Sequence, residues 1–505
     1  VFGATSFAIS TVLAAYMGGL ALGSYLFGRY IDRRGNPPLT YGILELCIGL
    51  FAILFPYILS LLNPVFSSLY RNLGHRFYSL SVARFLLSFT VLLIPTTLMG
   101  GTLPVLSRYV TQRLSDVPFR VGWLYAINTF GAVGGTFVTA FILLPTLGIR
   151  LTTFSAVAVN FTIFIISLVL SRKSPYERVA GEREKVRPLR VTRTEKIVLV
   201  SFMLTGFAAL SAEVIWTRVL TLVVGTTVYA FATMLTTFLL GLALGTAIFS
   251  RLAQRSSKPI AHLGVIAGLI GLTVYATTLG FGKLPVAFMS LFQSVRHSWQ
   301  LVILVKFGLC FLVMIVPTIL MGGTFPFVAK IYTTDLSRVG ARIGTAYAFN
   351  TLGSILGSFT GSFILLNFLG VEKGMLVVSL IYIGVGLSLW VFIGERLSGR
   401  VRFGGALITC ALLVVVAIVN PHWDRKIMTS AVYIYAPFYK DVDGLWDTLR
   451  AKQLLFYDEG PGATVSVERD QNILSLKIDG KVDASSGSDM ITQELISHLP
   501  LLLHS

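Results

Sequence analysis

Displaced by 222 residues, the chain falls on itself in three blocks that all keep one register. Residues 1–33 against 223–255 share 14 of 33 positions, among them Gly19-Leu20-Ala21-Leu22-Gly23 and Gly241-Leu242-Ala243-Leu244-Gly245. Residues 94–114 against 316–336 share 10 of 21, centred on Met99-Gly100-Gly101-Thr102 and Met321-Gly322-Gly323-Thr324. Residues 121–148 against 343–370 share 14 of 28, with Tyr125, Asn128 and Gly131 answering Tyr347, Asn350 and Gly353. One register held over that length means a duplicated unit, and whatever fold the first half takes the second must also take.

Both halves consist of apolar runs close to the ~20 residues that span a bilayer as a helix. Spans are expected near 5–28, 41–62, 84–108, 121–145 and 150–171, then near 197–218, 224–249, 260–282, 302–329, 343–368 and 372–394. Charged residues make up 13% of the chain and apolar ones 54%, against roughly 25% and 45–50% in soluble domains. A soluble enzyme and a disordered chain are thereby excluded. The helix at 197–218 has no counterpart in the first half, since its equivalent would lie before Val1. The unit is expected to be six helices, with the first helix missing from the chain. An even number makes the repeats parallel. The loop Gly28-Arg29-Tyr30-Ile31-Asp32-Arg33-Arg34-Gly35 resembles the G-x-x-x-D-R-x-G loop of major-facilitator transporters, although Ser250 and Gln254 replace Gly28 and Asp32 in the second half.

The net charge of +18 does not point to nucleic acid, because the bases sit in short loops between apolar runs. Alternate loops near 29–38, 108–120, 172–196, 251–258, 330–342 and 396–402 carry 24 Lys and Arg, and the other loops and span ends carry 9. The positive-inside rule puts the first set in the cytoplasm. The expected organisation is a first membrane repeat (1–171), a basic cytoplasmic connector (172–196), a second membrane repeat (197–394), an extra apolar helix (403–420) and a tail (421–505). If the run Ala406–Val419 crosses, the tail lies on the outer side. The expected location is a prokaryotic cytoplasmic (inner) membrane, with the lipid bilayer as partner.

Glu45 and Glu213 are the two acids well inside apolar runs, where an ionisable group is costly and marks a site or an ion pair. Glu213 stands five residues before Arg218 and could pair with it locally. Arg84 and Lys306 match across the repeat, as do Asn128 and Asn350, and these six are the candidates to line a membrane cavity. Small-residue ladders (Gly19/Gly23, Gly131/Gly135, Gly353/Gly357/Gly361) read as close helix packing. The two Met-Gly-Gly-Thr-x-Pro stretches read either as kinks or as broken helices that form a site. No P-loop, histidine-rich cluster, haem-ligand pattern or metal-ligand spacing is present.

Past residue 420 the pattern becomes that of a water-facing domain. Ala463–Arg469 and Ile473–Ile478 alternate as half-buried strands, with turns at Asp470-Gln471-Asn472 and Asp479-Gly480 and a helix over Asp489–Leu503. The stretches Phe456-Tyr457-Asp458-Glu459-Gly460, Ser475–Ser485, Asp489–Leu495 and His498–His504 resemble the start of a spermidine synthase-like (polyamine aminopropyltransferase) domain. The likeness extends to the membrane-fused branch of that family, in which a duplicated multispanning region comes first. The fold expected overall is an α-helical polytopic membrane protein of two parallel, major-facilitator-like six-helix repeats with a small C-terminal β-rich segment of such a domain.

The resemblance implies aminopropyl transfer from decarboxylated S-adenosylmethionine, a co-substrate to be expected only if the family's nucleotide-binding part exists, since no Gly-rich loop follows in this chain. It implies no catalytic residue here. It does imply substrate contacts at Asp479, Asp483, Asp489, Gln493 and Glu494. Asp483 and Thr492 depart from the family pattern, as does Ala463-Thr464. Two readings therefore stand: a membrane-embedded synthase-like protein with a polyamine-related role, or a transporter of a small polar or cationic solute with a vestigial tail. A homo-oligomer or a structural subunit of a larger membrane complex is a third.

Overall fold

The computed structural model describes residues 6–33, 36–73, 77–173, 191–393, 423–460 and 462–504. Long helices dominate. The first repeat holds α1 (Ser6–Arg33), α2 (Pro37–Leu73), α3 (Phe77–Val110), α4 (Val117–Val138) and α5 (Leu144–Lys173). The second holds α6 (Arg193–Val224), α7 (Val228–Arg255), α8 (Pro259–Gly280), a short α9 (Leu284–Val295), α10 (Trp299–Tyr332), α11 (Val339–Thr360) and α12 (Gly370–Ile393). Eight helical stretches among the described residues are long and apolar enough to cross a membrane, and some of these hold two helices in line. Large apolar side chains such as Tyr57, Leu61, Ile149, Leu304, Leu312 and Phe368 are exposed on their outer faces. That inverted surface belongs in a bilayer, and the protein is an integral membrane protein.

Local chemistry sets the helix ends. Thr192 and Glu195 form a reciprocal capping box at the start of α6, and Thr227 and Ser298 cap α7 and α10. Pro259 occupies the first turn of α8, where its missing N–H leaves no bond unmade. The starts of α5 and α12 match at the repeat offset: after a π-helical segment (Thr139–Leu143 and Gly361–Leu369) the chain kinks at a glycine with positive φ, Gly148 at 68° inside α5 and Gly370 at 72° at the first position of α12. Only glycine takes that backbone without strain.

The repeat also governs packing. A methyl group added at Gly19 would overlap Thr96, and one at Gly241 would overlap Thr318. Gly100 and Gly322 press against the carbonyls of Leu20 and Leu242. Ser24 Oγ donates to Gly100 O at 2.8 Å, and Thr246 Oγ1 donates to Gly322 O at 2.9 Å. The Met-Gly-Gly stretches are thus seams of close approach within unbroken α3 and α10, which run through Pro104 and Pro326. Between repeats, α1 packs on α11 and α4 on α7, the arrangement expected of two parallel units.

The tail begins with one-turn helices (Arg425–Met428, Val432–Tyr435) and a helix at Val442–Ala451. Strands β1 (Gln453–Glu459), β2 (Thr464–Asp470), β3 (Ile473–Ile478) and β4 (Lys481–Ser485) follow as an antiparallel meander in the order β1-β2-β3-β4. A helix at Met490–Leu503 ends the described chain. The tail sits on the second repeat. Phe281 meets Trp423 edge-on at 5.4 Å, Val371 N donates to Glu459 Oε2 at 2.6 Å, and Trp423 N donates to Glu372 Oε1 at 3.2 Å. The two hydrogen bonds lie at the first turn of α12, a helix of 24 residues and therefore about 36 Å long. Ile393 and Trp423 accordingly stand at opposite ends of the bundle. The extra apolar run at 403–420 lies outside the described residues, as do residues 174–190 of the connector.

Candidate site: a cavity between the repeats

A cavity of about 1370 Å³ lies between the two repeats and runs from mid-bundle to the end where the tail is seated. Its floor is aromatic. Tyr125 and Tyr347, equivalent residues of the two repeats, face each other at 6.3 Å, and Phe325 lies 4.7 Å from Tyr125 and 6.2 Å from Phe202. Below the floor the halves are clamped shut. Asp32, at the end of α1, accepts from Gly340 N at 3.0 Å and Ala341 N at 2.6 Å in the first turn of α11. Arg108 pairs with Asp32 at 3.8 Å and also donates to Leu336 O. A carboxylate on free N–H groups at a helix start is favoured by hydrogen bonding and by the helix dipole together. Gly28 and Gly340 make the approach possible, since a methyl group on either would strike the other's carbonyl.

Above the floor the wall is mostly apolar and hydroxyl-bearing. Asn350 Nδ2 donates to Phe202 O at 2.9 Å, and Tyr382 OH donates to Thr205 O at 3.0 Å. Glu213 and Arg218 are the two charged side chains on the wall among the described residues. Arg218 does not turn to Glu213. Its Nη2 donates to Gly460 O at 2.7 Å and its Nη1 stands 3.4 Å from Asp479 Oδ1. Glu213 has no hydrogen bond or ion pair among the described residues.

Of the six membrane candidates, the structure brings Glu213, Asn128 and Asn350 to the cavity. Glu45 is elsewhere, on α2 beside Tyr41 one turn away. Lys306 Nζ donates to Val224 O at 2.9 Å, a cation on the last carbonyl of α6 where the helix dipole favours it. The side chain of Arg84 lies outside the described residues. Sequence reasoning missed the Arg218–Asp479 contact and the aromatic floor. A signal for the first existed, because Arg218 is one of the few bases at the sparsely charged end of the spans.

The tail candidates do not gather into a pocket. Asp483 pairs with Lys481 at 3.2 Å. Asp489 accepts from Ser485 N at 3.0 Å and Gln493 Nε2 at 2.7 Å, which fixes the start of the last helix, and Glu494 is exposed on that helix. Asp479 alone contacts a residue of the cavity wall, Arg218. It is held by a turn with positive φ at Asp479 (50°) and Gly480 (83°), and its Oδ1 also accepts from Thr464 N at 2.8 Å. Tyr433 OH donates to Asp479 O at 3.3 Å, and burial, with Asp479 nearby, pushes that phenol up to about 12, so it stays a donor. Deeper in the tail, Lys477 pairs with Glu468 with both side chains 3% exposed. Burial lowers the Lys477 pKa and Glu468 opposes that shift.

No family model matches the chain, and no curated protein matches it. Solved structures that resemble it include transporters. A bacterial homologue of the iron transporter ferroportin, in an outward-facing state, aligns with a TM-score of 0.50 at 16% identity, covering 77% of this chain and 90% of its own. The human organic anion transporter MFSD10 aligns at 0.47 and 13% identity, covering 76% and 83%. The major facilitator superfamily transporter FucP, in an outward conformation, aligns at 0.42 and 15%, covering 76% and 99%. The membrane part therefore shares the overall helical fold of the ferroportin homologue.

The expected spermidine synthase-like identity is corrected by the same comparison, in which the neighbours are transporters. The physical reason is visible in the residues that carried the resemblance. Glu459 and Gly460 bind α12 and Arg218, Asp479 binds Arg218, and Gly480 packs against Ala431, so this stretch is spent on docking the tail. The reading as an aminopropyltransferase with a polyamine-related role falls with it.

Proposed function

We propose that the chain is a transporter that binds a small amphipathic cation in the central cavity, with Glu213 as its counter-ion. The observation that carries this reading is the unpartnered carboxylate on an otherwise apolar and aromatic wall. Ionisable groups in a membrane bundle face cavities and mark solute paths, and aromatic faces attract cations. The cavity exceeds the ~300–1,000 Å³ of usual small-molecule sites, so a solute of drug-like size fits. Rocking of one repeat on the other would break the Asp32 clamp and open the floor.

The described residues of the base-rich loops lie at the clamped end, opposite the tail. The positive-inside rule then puts the tail and the cavity mouth on the non-cytoplasmic side. A cysteine at exposed Ser486, in a background without the native cysteines, is expected to react with an impermeant thiol reagent in intact cells. Labelling confined to lysed cells would reverse the orientation.

Tetraphenylphosphonium serves as the probe for binding to the detergent-solubilised chain. Glu213→Gln is expected to weaken its binding at least tenfold with the thermal unfolding midpoint retained. Unchanged affinity would sink the cation reading.

A further inference from the structure

The tail supplies part of the cavity mouth. Gly462 lines the cavity directly, and the β1–β2 turn that contains it hangs over the opening from the second repeat. The same turn, with the β3–β4 turn beside it, seizes Arg218, the one base on the wall among the described residues. Gly460 O takes one nitrogen of Arg218 and Asp479 Oδ1 faces the other, and the Arg218 and Asp479 side chains are only 10% and 11% exposed. A guanidinium keeps its charge at any physiological pH, so a cavity that holds Arg218 and Glu213 together would be neutral overall unless another acid balanced the base. Asp479 is the nearest such acid, with Glu459 the next, and both come from a different domain.

We propose that the C-terminal domain sets the charge selectivity of the cavity: Asp479 and the Gly460 carbonyl neutralise and hold Arg218, so that Glu213 alone decides which solutes enter. This inference rests on the cation reading above and adds to it a specificity-determining role for the tail. Asp479 is a positioning residue here, since it acts through Arg218 and touches no solute. Its own position is secured without Arg218, by Thr464 N and by the turn at Asp479-Gly480, whose glycine packs at Ala431. The tail's docking is also independent of Arg218, through Glu459 on Val371 N and Trp423 on Glu372 and Phe281. Removing the Asp479 charge therefore leaves Arg218, still bonded to Gly460 O, with its charge less balanced, and does not detach the domain.

Two probes of nearly equal size and shape but opposite charge, tetraphenylphosphonium and tetraphenylborate, read this directly. The ratio of their affinities for the solubilised full chain separates selectivity from general damage, because a merely structural lesion lowers both together. The wild-type chain is expected to favour the phosphonium. Asp479→Asn is expected to shift the ratio at least tenfold toward the borate, and Arg218→Gln placed in that variant is expected to restore it. Arg218→Gln alone leaves Asp479 unbalanced at the mouth, and is expected to strengthen phosphonium binding about threefold or more. That single variant also decides the matter if Asp479→Asn does not fold. An unchanged ratio in Asp479→Asn, with Glu213→Gln still weakening phosphonium binding at least tenfold, would overturn the tail's role and leave the transporter reading intact. A weaker phosphonium affinity in Arg218→Gln would overturn it too. Phosphonium binding that survives Glu213→Gln would bring down the underlying reading and this inference with it.

Discussion

On α11, Gly353, Gly357 and Gly361 lie against the backbone of α6 at Met203, Phe207 and Ser211; on α4, the equivalent Gly131 and Gly135 meet nothing within 4 Å. Ser211 Oγ donates to Gly357 O at 2.9 Å and Asn350 donates to Phe202 O, whereas Asn128 is exposed. The main buried core follows the same division. It draws heavily on α6 to α12 and takes few residues, such as Leu103, Val117 and Val121, from the first repeat. Two segments that share sequence thus differ in packing because one has a helix across from it. A glycine ladder makes close approach possible, and only a partner backbone turns that into stability.

A second contrast separates the clamps at the far end. Arg108 and Lys330 occupy equivalent positions. Arg108 joins Asp32, which holds α11, while Lys330 Nζ donates to the carbonyls of Ala253, Gln254 and Ser256 and so caps its own neighbour α7. With Gln254 in the place of Asp32, the second repeat offers the first no carboxylate at this position. The Asp32 bridge has no equivalent at the matching position, where on the α4–α7 side Gly122 closely approaches Ser250.

The sharpest way to break the comparison is to fill both ladders. Gly357→Leu forces a side chain into the Phe207 backbone and is expected to cost about 3 kcal/mol, at the upper end of ordinary overpacking penalties. Gly135→Leu, in the matching open position, is expected to change stability by less than about 0.5 kcal/mol. Unfolding of the two purified variants in one detergent compares them directly. Equal losses would mean that the α4 face is covered in the membrane after all.

The helical plan was legible because two signals agreed: apolar runs of spanning length, and a repeat offset that located each run twice. The seams were legible too, since glycines at four-residue spacing have few other uses in a membrane helix. The division of α8 from α9 was not, because Gly280 and Gly282 interrupt a segment that in the first repeat runs on as one α2. At the site, an acid such as Glu213 is conspicuous in an apolar run, and its cavity position could be anticipated. Its expected partner was misjudged. Spacing along α6 favoured Arg218, but the competing acid lies 261 positions away in sequence, and a single chain's periodicity carries no trace of it. The tail misled for a related reason. A strand-turn-strand pattern with Asp-Gly turns reports a meander of hairpins, and the same residues serve any domain that needs those turns.

The smallest effects come from the two asparagines, and they separate packing from solute binding. Asn350→Ala removes a donor from Phe202 O and is expected to lower stability by about 1 kcal/mol, the usual net value of one hydrogen bond. Asn128→Ala removes no bond made within the described chain and is expected to leave the unfolding midpoint unmoved. Both side chains nevertheless line the cavity, so both variants should weaken tetraphenylphosphonium binding, by about twofold to fivefold, if the two repeats contribute equally to the solute wall. A loss confined to Asn350→Ala would instead show that the second repeat holds the solute by itself. The first would then serve as the moving half against which the cavity opens.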